Sequence, residues 1–475
     1  MTTTPLLPRP DAHWREWVTY GLSWAKTSLA PTRTAASAHT PTADSVSTRA
    51  TGTTAASVPT SRSAASAGPT TPLTPATAAA PVTAAAPATR AATASTPATR
   101  APAIGATNWT SDDNESLENW RAATRDAAST RLQSWPITFY AYREEVPGPR
   151  WQALWEATQT AYRAFYCRDG VAQRPTLQES QAALAEHMPE LVPTYERLVR
   201  LTRNTPADDA GTEAGDAEKD DVPARLLTMW RLPIFAAGCS QVAIGGEAPT
   251  LSRNYDYDFN LFEGVIASTN YTGTRAVLGS SDMLWGLVDG MNEDGLAISM
   301  TYGGRKGGGV GFAIPLVVRY LLEVCGTVDE ACERLRGLPV AQAYNLAMVD
   351  ATGARATVFI APGEDPIVSD HAVSTNHKLD RVEHPEIADP LSSLERQNDL
   401  NARLQQSSEV TVDDVQEWLA EKPMFTDRYS SGFGTLYTVS YEPKSGTAQY
   451  RWGQRTLSRS FDDLDTEFPV VLRGR

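Results

Sequence analysis

The stretch FAAGCSQVAIGGEAPTLSRNYDYDFN, from Phe235 to Asn260, sets one cysteine directly after a glycine. It follows that cysteine with a dense polar cluster, Arg253-Asn254-Tyr255-Asp256-Tyr257-Asp258. The chain has four cysteines, Cys167, Cys239, Cys325 and Cys332, widely spaced and with no Cys-x-x-Cys pair. That pattern fits neither a zinc site nor a disulfide framework, so no metal is expected. It points to a reducing compartment, read here as the cytoplasm. Cys239 is then either a small buried apolar residue, the commoner fate of a lone cysteine, or a nucleophile.

A nucleophilic thiol needs a base or a lowered pKa. The ordered part of the chain offers His187, His371, His377 and His384, none in a cysteine-protease context. Another base is available on Cys239 itself. A free α-amine titrates at about 7.7–8.0, and Cys239 would own one if the chain were cut after Gly238. Gly238 suits such a cut, because a residue without Cβ leaves its carbonyl open to close approach. Attack by the thiol on that carbonyl would move the acyl chain onto sulfur, and water would release the new N-terminus. Nucleophile and base would then sit on one residue.

Composition divides the chain around this centre. Residues 12–26 read as a short helix with Trp14, Trp17, Leu22 and Trp24 as its apolar members, within an N-terminal extension, 1–29. Residues 30–106 collapse to Ala, Thr, Pro and Ser, a composition that cannot bury enough apolar surface to order itself, and read as a disordered tether. Residues 107–221 read as a helical pro-region. There Leu154, Trp155, Thr158, Tyr162 and Phe165, then Leu184, Met188, Leu191, Tyr195 and Leu198, recur at helical spacing. Its last part, 206–221, is an acidic loop whose charges repel one another. From Val222 to the end, short apolar strands alternate with glycine turns, then with helices, then strands again. Turns are expected at Asn292–Gly295, Asp350–Gly353 and Pro443–Gly446, a Thr327–Glu330 helix start, and a helix over 412–421.

The net charge of −14 argues against nucleic acid and anionic membranes as partners. Asp11, His13, Arg15 and Glu16 interrupt any apolar stretch of signal-peptide length near the start, and no run is long enough to span a bilayer. The run GGRKGGGVG (Gly303 to Gly311) has neither Walker spacing nor a G-x-G-x-x-G frame and reads as a loop near the pocket. GSSD at Gly279 to Asp282 is not a nucleophile elbow, which argues against a serine hydrolase.

Four blocks in order, GCSQ, SRNYDYDF, DGMNEDGLAISMTYGG and STNH, resemble the N-terminal nucleophile (Ntn) hydrolases over about residues 222 to 455. The branch is peptidase family C45, typified by acyl-coenzyme A:6-aminopenicillanic acid acyltransferase and related to the choloylglycine hydrolases. The resemblance implies an α+β fold, a four-layer αββα sandwich, and self-cleavage between Gly238 and Cys239. It implies Cys239 as nucleophile, Arg253 beside the thiol favouring thiolate, and Asp256 holding the new α-amine. It further implies Asn376 as a side-chain oxyanion donor and the backbone N–H of Tyr302 as a second. Arg428 matches a second arginine of the bile-acid branch. Tyr255, Tyr257 and Phe312, with other aromatic residues, are candidates for an apolar acyl pocket. Taken singly, Arg253 reads as well as an ion-pair partner, Asn376 as a turn residue, and His377 as structural.

The activity expected is amide cleavage or acyl transfer through a Cys239 thioester, without cofactor. The substrate would be a small amide or acyl compound, acyl-coenzyme A among the candidates, and the two fragments would stay associated. The rival from another class is a non-catalytic hydrolase-like scaffold that recruits partners through its tether, since fold alone does not prove activity.

Overall fold

The computed structural model describes residues 133–203, 220–233, 237–305, 307–379, 381–453, 455–462 and 465–474. The expected N-terminal helix, the tether, the polar helix begun near Asn108 and most of the acidic loop lie outside the described residues.

The described chain opens with a strand, β1 (Gln133–Arg143), followed by four helices: α1 (Pro149–Tyr166), α2 (Leu177–His187), α3 (Val192–Arg203) and α4 (Val222–Leu227). The helical spacing continues through Met188 and Leu191, but Pro189 opens a short 3-10 turn there, so α2 and α3 are separate elements. Thr176 and Glu179 form a reciprocal capping box at the start of α2. β1 carries the period-two alternation of a strand, Trp135, Ile137, Phe139 and Ala141 against Ser134, Pro136, Thr138 and Tyr140, but lies inside the stretch read from sequence as a helical pro-region. Tertiary pairing decides it: β1 runs antiparallel to the C-terminal strand β15 (Asp465–Gly474) and parallel to β4 (Val265–Thr269).

Two sheets form the centre. The larger has nine strands in the order β10-β9-β8-β7-β6-β5-β4-β1-β15. Besides those named it contains β5 (Val277–Asp282), β6 (Gly286–Asn292), β7 (Ala297–Tyr302), β8 (Tyr344–Val349), β9 (Arg355–Ile360) and β10 (Ile367–Ser369). The smaller has six strands in the order β11-β2-β3-β12-β13-β14. They are β2 (Gly238–Ile244), β3 (Thr250–Asp258), β11 (Val373–Ser374), β12 (Phe433–Glu442), β13 (Thr447–Trp452) and β14 (Arg455–Arg459). β2 and β3 lie against β7 and β8, closing one apolar core between the sheets. Outside the nine-stranded sheet, α5 (Ile314–Val324) packs on β5–β7 and α6 (Val328–Leu335) on β9. Outside the six-stranded sheet, α7 (Ser393–Gln406) packs on β2 and β11, and α8 (Val412–Ala420) on β3 and β12. A second small core of Val242, Val373, Leu400, Val415, Leu419 and Met424 fills that outer contact. The arrangement is the four-layer αββα sandwich.

The turns fall where residue chemistry puts them. Gly295 and Gly353 hold φ of 88° and 92° at the β6–β7 and β8–β9 hairpins, and Gly446 closes β12–β13 at φ 66°. Thr327 caps α6 by accepting from the Glu330 N–H, while Glu330 turns its carboxylate to Gly326 N instead of completing a capping box. Thr411 and Asp414 do complete one at α8.

Candidate active site

β2 and β3 pair antiparallel with Gly238 opposite Asp256, Cys239 opposite Tyr255, and Gln241 opposite Arg253. Side chains on a strand alternate between faces, and here the alternation sorts the chemistry. Cys239, Gln241, Arg253 and Tyr255 face the space between the sheets. Gln241 there meets Ser299, Ser374 and the Asn345 carbonyl. Gly238, Ser240, Asn254 and Asp256 face the outer helices, where Asn254 donates to Leu419 O and Ser240 accepts from Arg396 of α7.

On the inner face, Arg253 donates to Cys239 Sγ at 2.7 Å. Its other terminal nitrogen donates to Val288 O at 2.6 Å and to Asp289 Oδ2 at 3.1 Å. Asp289 is filled by two further donors, Tyr437 OH and Tyr441 OH, each at 2.6 Å. The Tyr255 ring covers the guanidinium at 4.8 Å. The arginine is therefore gripped from three sides and aimed at sulfur. Burial nevertheless raises the Cys239 thiol above its ordinary range, with Arg253 pulling the other way and Asp256 adding to the rise. Arg253 pulls towards thiolate, but burial outweighs it, because Cys239 is wholly buried and desolvation disfavours the charged form.

On the outer face, Asp256 accepts from Thr435 Oγ1 at 2.7 Å and pairs with Arg396 at 3.2 Å. Its carboxyl too is raised by burial, against the opposing pull of Arg396 and Thr435. Arg396 also donates to Cys239 O at 3.1 Å and to Asn376 Oδ1 at 2.8 Å.

Asn376 follows β11 and reaches across to both sheets. Its Oδ1 accepts from the Cys239 N–H at 3.1 Å. Its Nδ2 donates to Thr301 Oγ1 at 2.7 Å, Tyr302 O at 3.0 Å and Ala237 O at 3.3 Å. Donors on one side and acceptors on the other fix which amide atom is which. The Asn345 side chain pins the loop by donating to Thr375 O and His377 O. Gly304 comes so close that a Cβ there would lie 2.1 Å from Asn376 O. Tyr302 ends β7. Gly303 N donates to Ala343 O, so the ladder's alternation turns the Tyr302 N–H away from β8.

The structure thus gathers Gly238, Cys239, Arg253, Asp256, Asn376 and the end of β7 at Tyr302. Tyr255 is fully buried between the sheets, its OH donating to Asp282 at 2.9 Å, and is a wall of the core. Tyr257 is half-buried beside it, ring centroids 5.6 Å apart. Phe312 packs on Trp230 and His187. Arg428 is exposed, donating to Pro390 O at 2.9 Å with its guanidinium over the Phe433 ring. The arginine that pairs with Asp256 is Arg396, on α7. Sequence reasoning missed it because SLERQNDLNARLQQ reads as a polar surface helix, in which one inward arginine carries no mark. Asp289 and Thr435 were missed as well, although Asp289 opens the quoted DGMNEDG block.

Residues 244–457 match the family model described as acyl-coenzyme A:6-aminopenicillanic acid acyl-transferase. This segment belongs to that family. The match begins within β2, past Cys239, and ends within β14, and it includes Arg253, Asp256, Asn376 and Arg396. Among solved structures the chain is similar to a variant of the conjugated bile acid hydrolase from Clostridium perfringens, at 15% identity over 49% of this chain and 96% of that one, TM-score 0.35. It is similar to penicillin V acylase from Agrobacterium tumefaciens, at 15% identity over 46% and 84%, TM-score 0.31. It is also similar to the N-acylethanolamine-hydrolyzing acid amidase ortholog of Caenorhabditis elegans, at 14% identity over 43% and 93%, TM-score 0.32. No curated protein matches the chain. Among the described residues, no helix is long and apolar enough to cross a membrane.

Proposed function

We propose that this chain is a self-processing cysteine amidase or acyltransferase that works on small amide or acyl compounds through a thioester on Cys239. The observation that carries the reading is the convergence on one residue. Arg253 meets the Cys239 sulfur at 2.7 Å, Asn376 meets its nitrogen at 3.1 Å and Arg396 meets its carbonyl at 3.1 Å.

In the uncut chain Cys239 is a neutral, buried thiol. Transfer of its proton toward the Gly238–Cys239 amide nitrogen accompanies attack on the Gly238 carbonyl. The S–C bond forms, the C–N bond breaks, and the acyl chain ending at Gly238 sits on sulfur. Water then cleaves the thioester. The freed amine lies where the peptide N–H now donates to Asn376 Oδ1, with Asp256, which faces the departing Gly238 across the ladder, as a second acceptor. It serves as the base in later turnovers. When Ala237 departs, one of the three acceptors of Asn376 Nδ2 leaves with it. That N–H is then available to a substrate carbonyl as its oxygen gains charge. Arg253 compensates the thiolate as it forms, held by Asp289. Water as acceptor gives hydrolysis and an amine gives a new amide.

The pieces made by the cut stay together, because β1 belongs to the first piece and lies between β4 and β15 of the second. Mass measurement of the purified protein tests the reading. Two fragments ending at Gly238 and starting at Cys239 are expected, and only intact chain for Cys239→Ala. Intact wild-type chain that never acylates would leave the scaffold reading in its place.

A further inference from the structure

The first acyl group that Cys239 would carry is its own chain, so the surroundings of Gly238 describe the acyl site near the carbonyl. Gly238 does not occupy the left-handed region, so its missing side chain serves proximity and not backbone freedom. A Cβ placed there would lie 3.0 Å from Phe433 Cζ, 3.3 Å from Asp256 Cβ and 3.4 Å from Leu391 Cδ2. Comfortable carbon contacts need about 3.5–4.0 Å, so three walls are already in contact distance with nothing between them.

The walls are braced. Asp256 is tied to Thr435 and Arg396 and cannot retreat. Phe433 has the Arg428 guanidinium 5.5 Å from its ring centre, and the same guanidinium donates to Pro390 O, next to Leu391. Arg428 so links two of the three walls from outside.

We propose that the α-carbon of the transferred acyl group takes the place of Gly238 Cα, beside these walls, and that the enzyme takes acyl groups with no substituent on the side where an L-residue carries its Cβ. Straight-chain acyl groups and N-acylglycyl groups meet that condition; L-amino-acyl groups do not. The proposal rests on the thioester reading above. In processing, sulfur bonds the Gly238 carbonyl carbon and the Cys239 nitrogen leaves. In turnover, the same sulfur bonds the substrate's carbonyl carbon and the substrate amine or alcohol leaves. Either thioester puts its α-carbon one bond from the same carbonyl, against the same walls.

Two measurements test it on the full chain. The first is the rate of self-cleavage, followed by mass, in wild type, Gly238→Ala and Gly238→Val. The expected slowing is about 10-fold for Ala and about 100-fold or more for Val, the scale of a reacting group misplaced by an ångström. Adding Phe433→Ala to Gly238→Ala should recover most of the loss, which a folding defect would not allow. The second is acylation of the mature enzyme by the 4-nitrophenyl esters of N-acetylglycine and N-acetyl-L-alanine. The glycine ester should react about 10-fold faster or more, and Phe433→Ala should narrow the gap. Wild-type cleavage rates in Gly238→Ala, or equal acylation by the two esters, would overturn this proposal while leaving the thioester reading intact. No cleavage of wild type and no acylation by either ester would strike at the thioester reading itself.

Discussion

Arg396 and Asp256 face each other at 3.2 Å, each side chain 1% exposed, on the side of the six-stranded sheet away from the Cys239 sulfur. Breaking a buried pair from one end strands the other charge. Arg396→Ala is therefore expected to cost about 3–5 kcal/mol of stability and to abolish self-cleavage. Arg396→Lys keeps the charge but not the fork that also reaches Asn376, so it should fold and process slowly. Chemical denaturation and fragment mass check the two outcomes. A lysine variant that processes at the wild-type rate would remove Arg396 from the site.

Asn376→Ala in the mature enzyme should lower kcat by about 10²–10³ with a smaller change in KM. The amide is to act on charge that develops after binding. A loss confined to KM would assign Asn376 to ground-state binding.

Cys239 is wholly buried and its thiol is raised, whereas Cys167 is only half-buried. In uncut protein below about pH 9, iodoacetamide should label Cys167 first and spare Cys239. After processing the order should invert, because Cys239 is then a chain terminus opening on the substrate site. Peptide mapping at successive times reads both orders.

Glu263 and Asp282 lie together under the turn that follows β5. Glu263 accepts from Tyr162 OH and from Leu284 N, and Asp282 from Tyr255 OH. Burial, reinforced by the charge of Asp282, pushes Glu263 up to about 8 from an ordinary 4.5. A carboxyl raised on folding binds its proton in the native state while the unfolded chain has released it. Its contribution to stability is then complete below about pH 4.5 and is lost as pH rises towards 8. Glu263→Gln should flatten the fall of Tm across that window. An unchanged Tm profile would mean that folding does not raise Glu263.

A cut before Cys239 should leave a complex that elutes as one species in native buffer and separates only in denaturant, because β1 lies between β4 and β15. Separation in native buffer would contradict that interlock.

Much of this site was readable because its parts are local. The Gly-Cys step, the Arg-Asn-Tyr-Asp run and the hairpin glycines each declare themselves within a few residues, and strand alternation then sorts them onto faces. Arg396 and Thr435 did not declare themselves, since a side chain's neighbours across layers leave no trace in its own helix or strand. β1 was missed for another reason: Trp135, Ile137, Phe139 and Ala141 alternate as a strand's should, but the helical spacing that follows drew the whole segment into a helical reading, and its partners β4 and β15 lie far along the chain. Arg428 was matched by residue type alone, and Arg396, which touches Asp256, stands on a helix whose polar sequence gave no sign of it.

Between Thr435 and Tyr437 the pairing of β12 with β3 slips by one residue, so Leu436 has no partner across the ladder. Without that slip, Thr435 and Tyr437 would point the same way. With it, one reaches Asp256 towards the helices and the other reaches Asp289 between the sheets. One surplus residue lets a single strand serve two charged partners on opposite faces. The spacing here acts as a phase setting: losing Leu436 would turn one of the two hydroxyls to the wrong face, however faithfully every other side chain were kept.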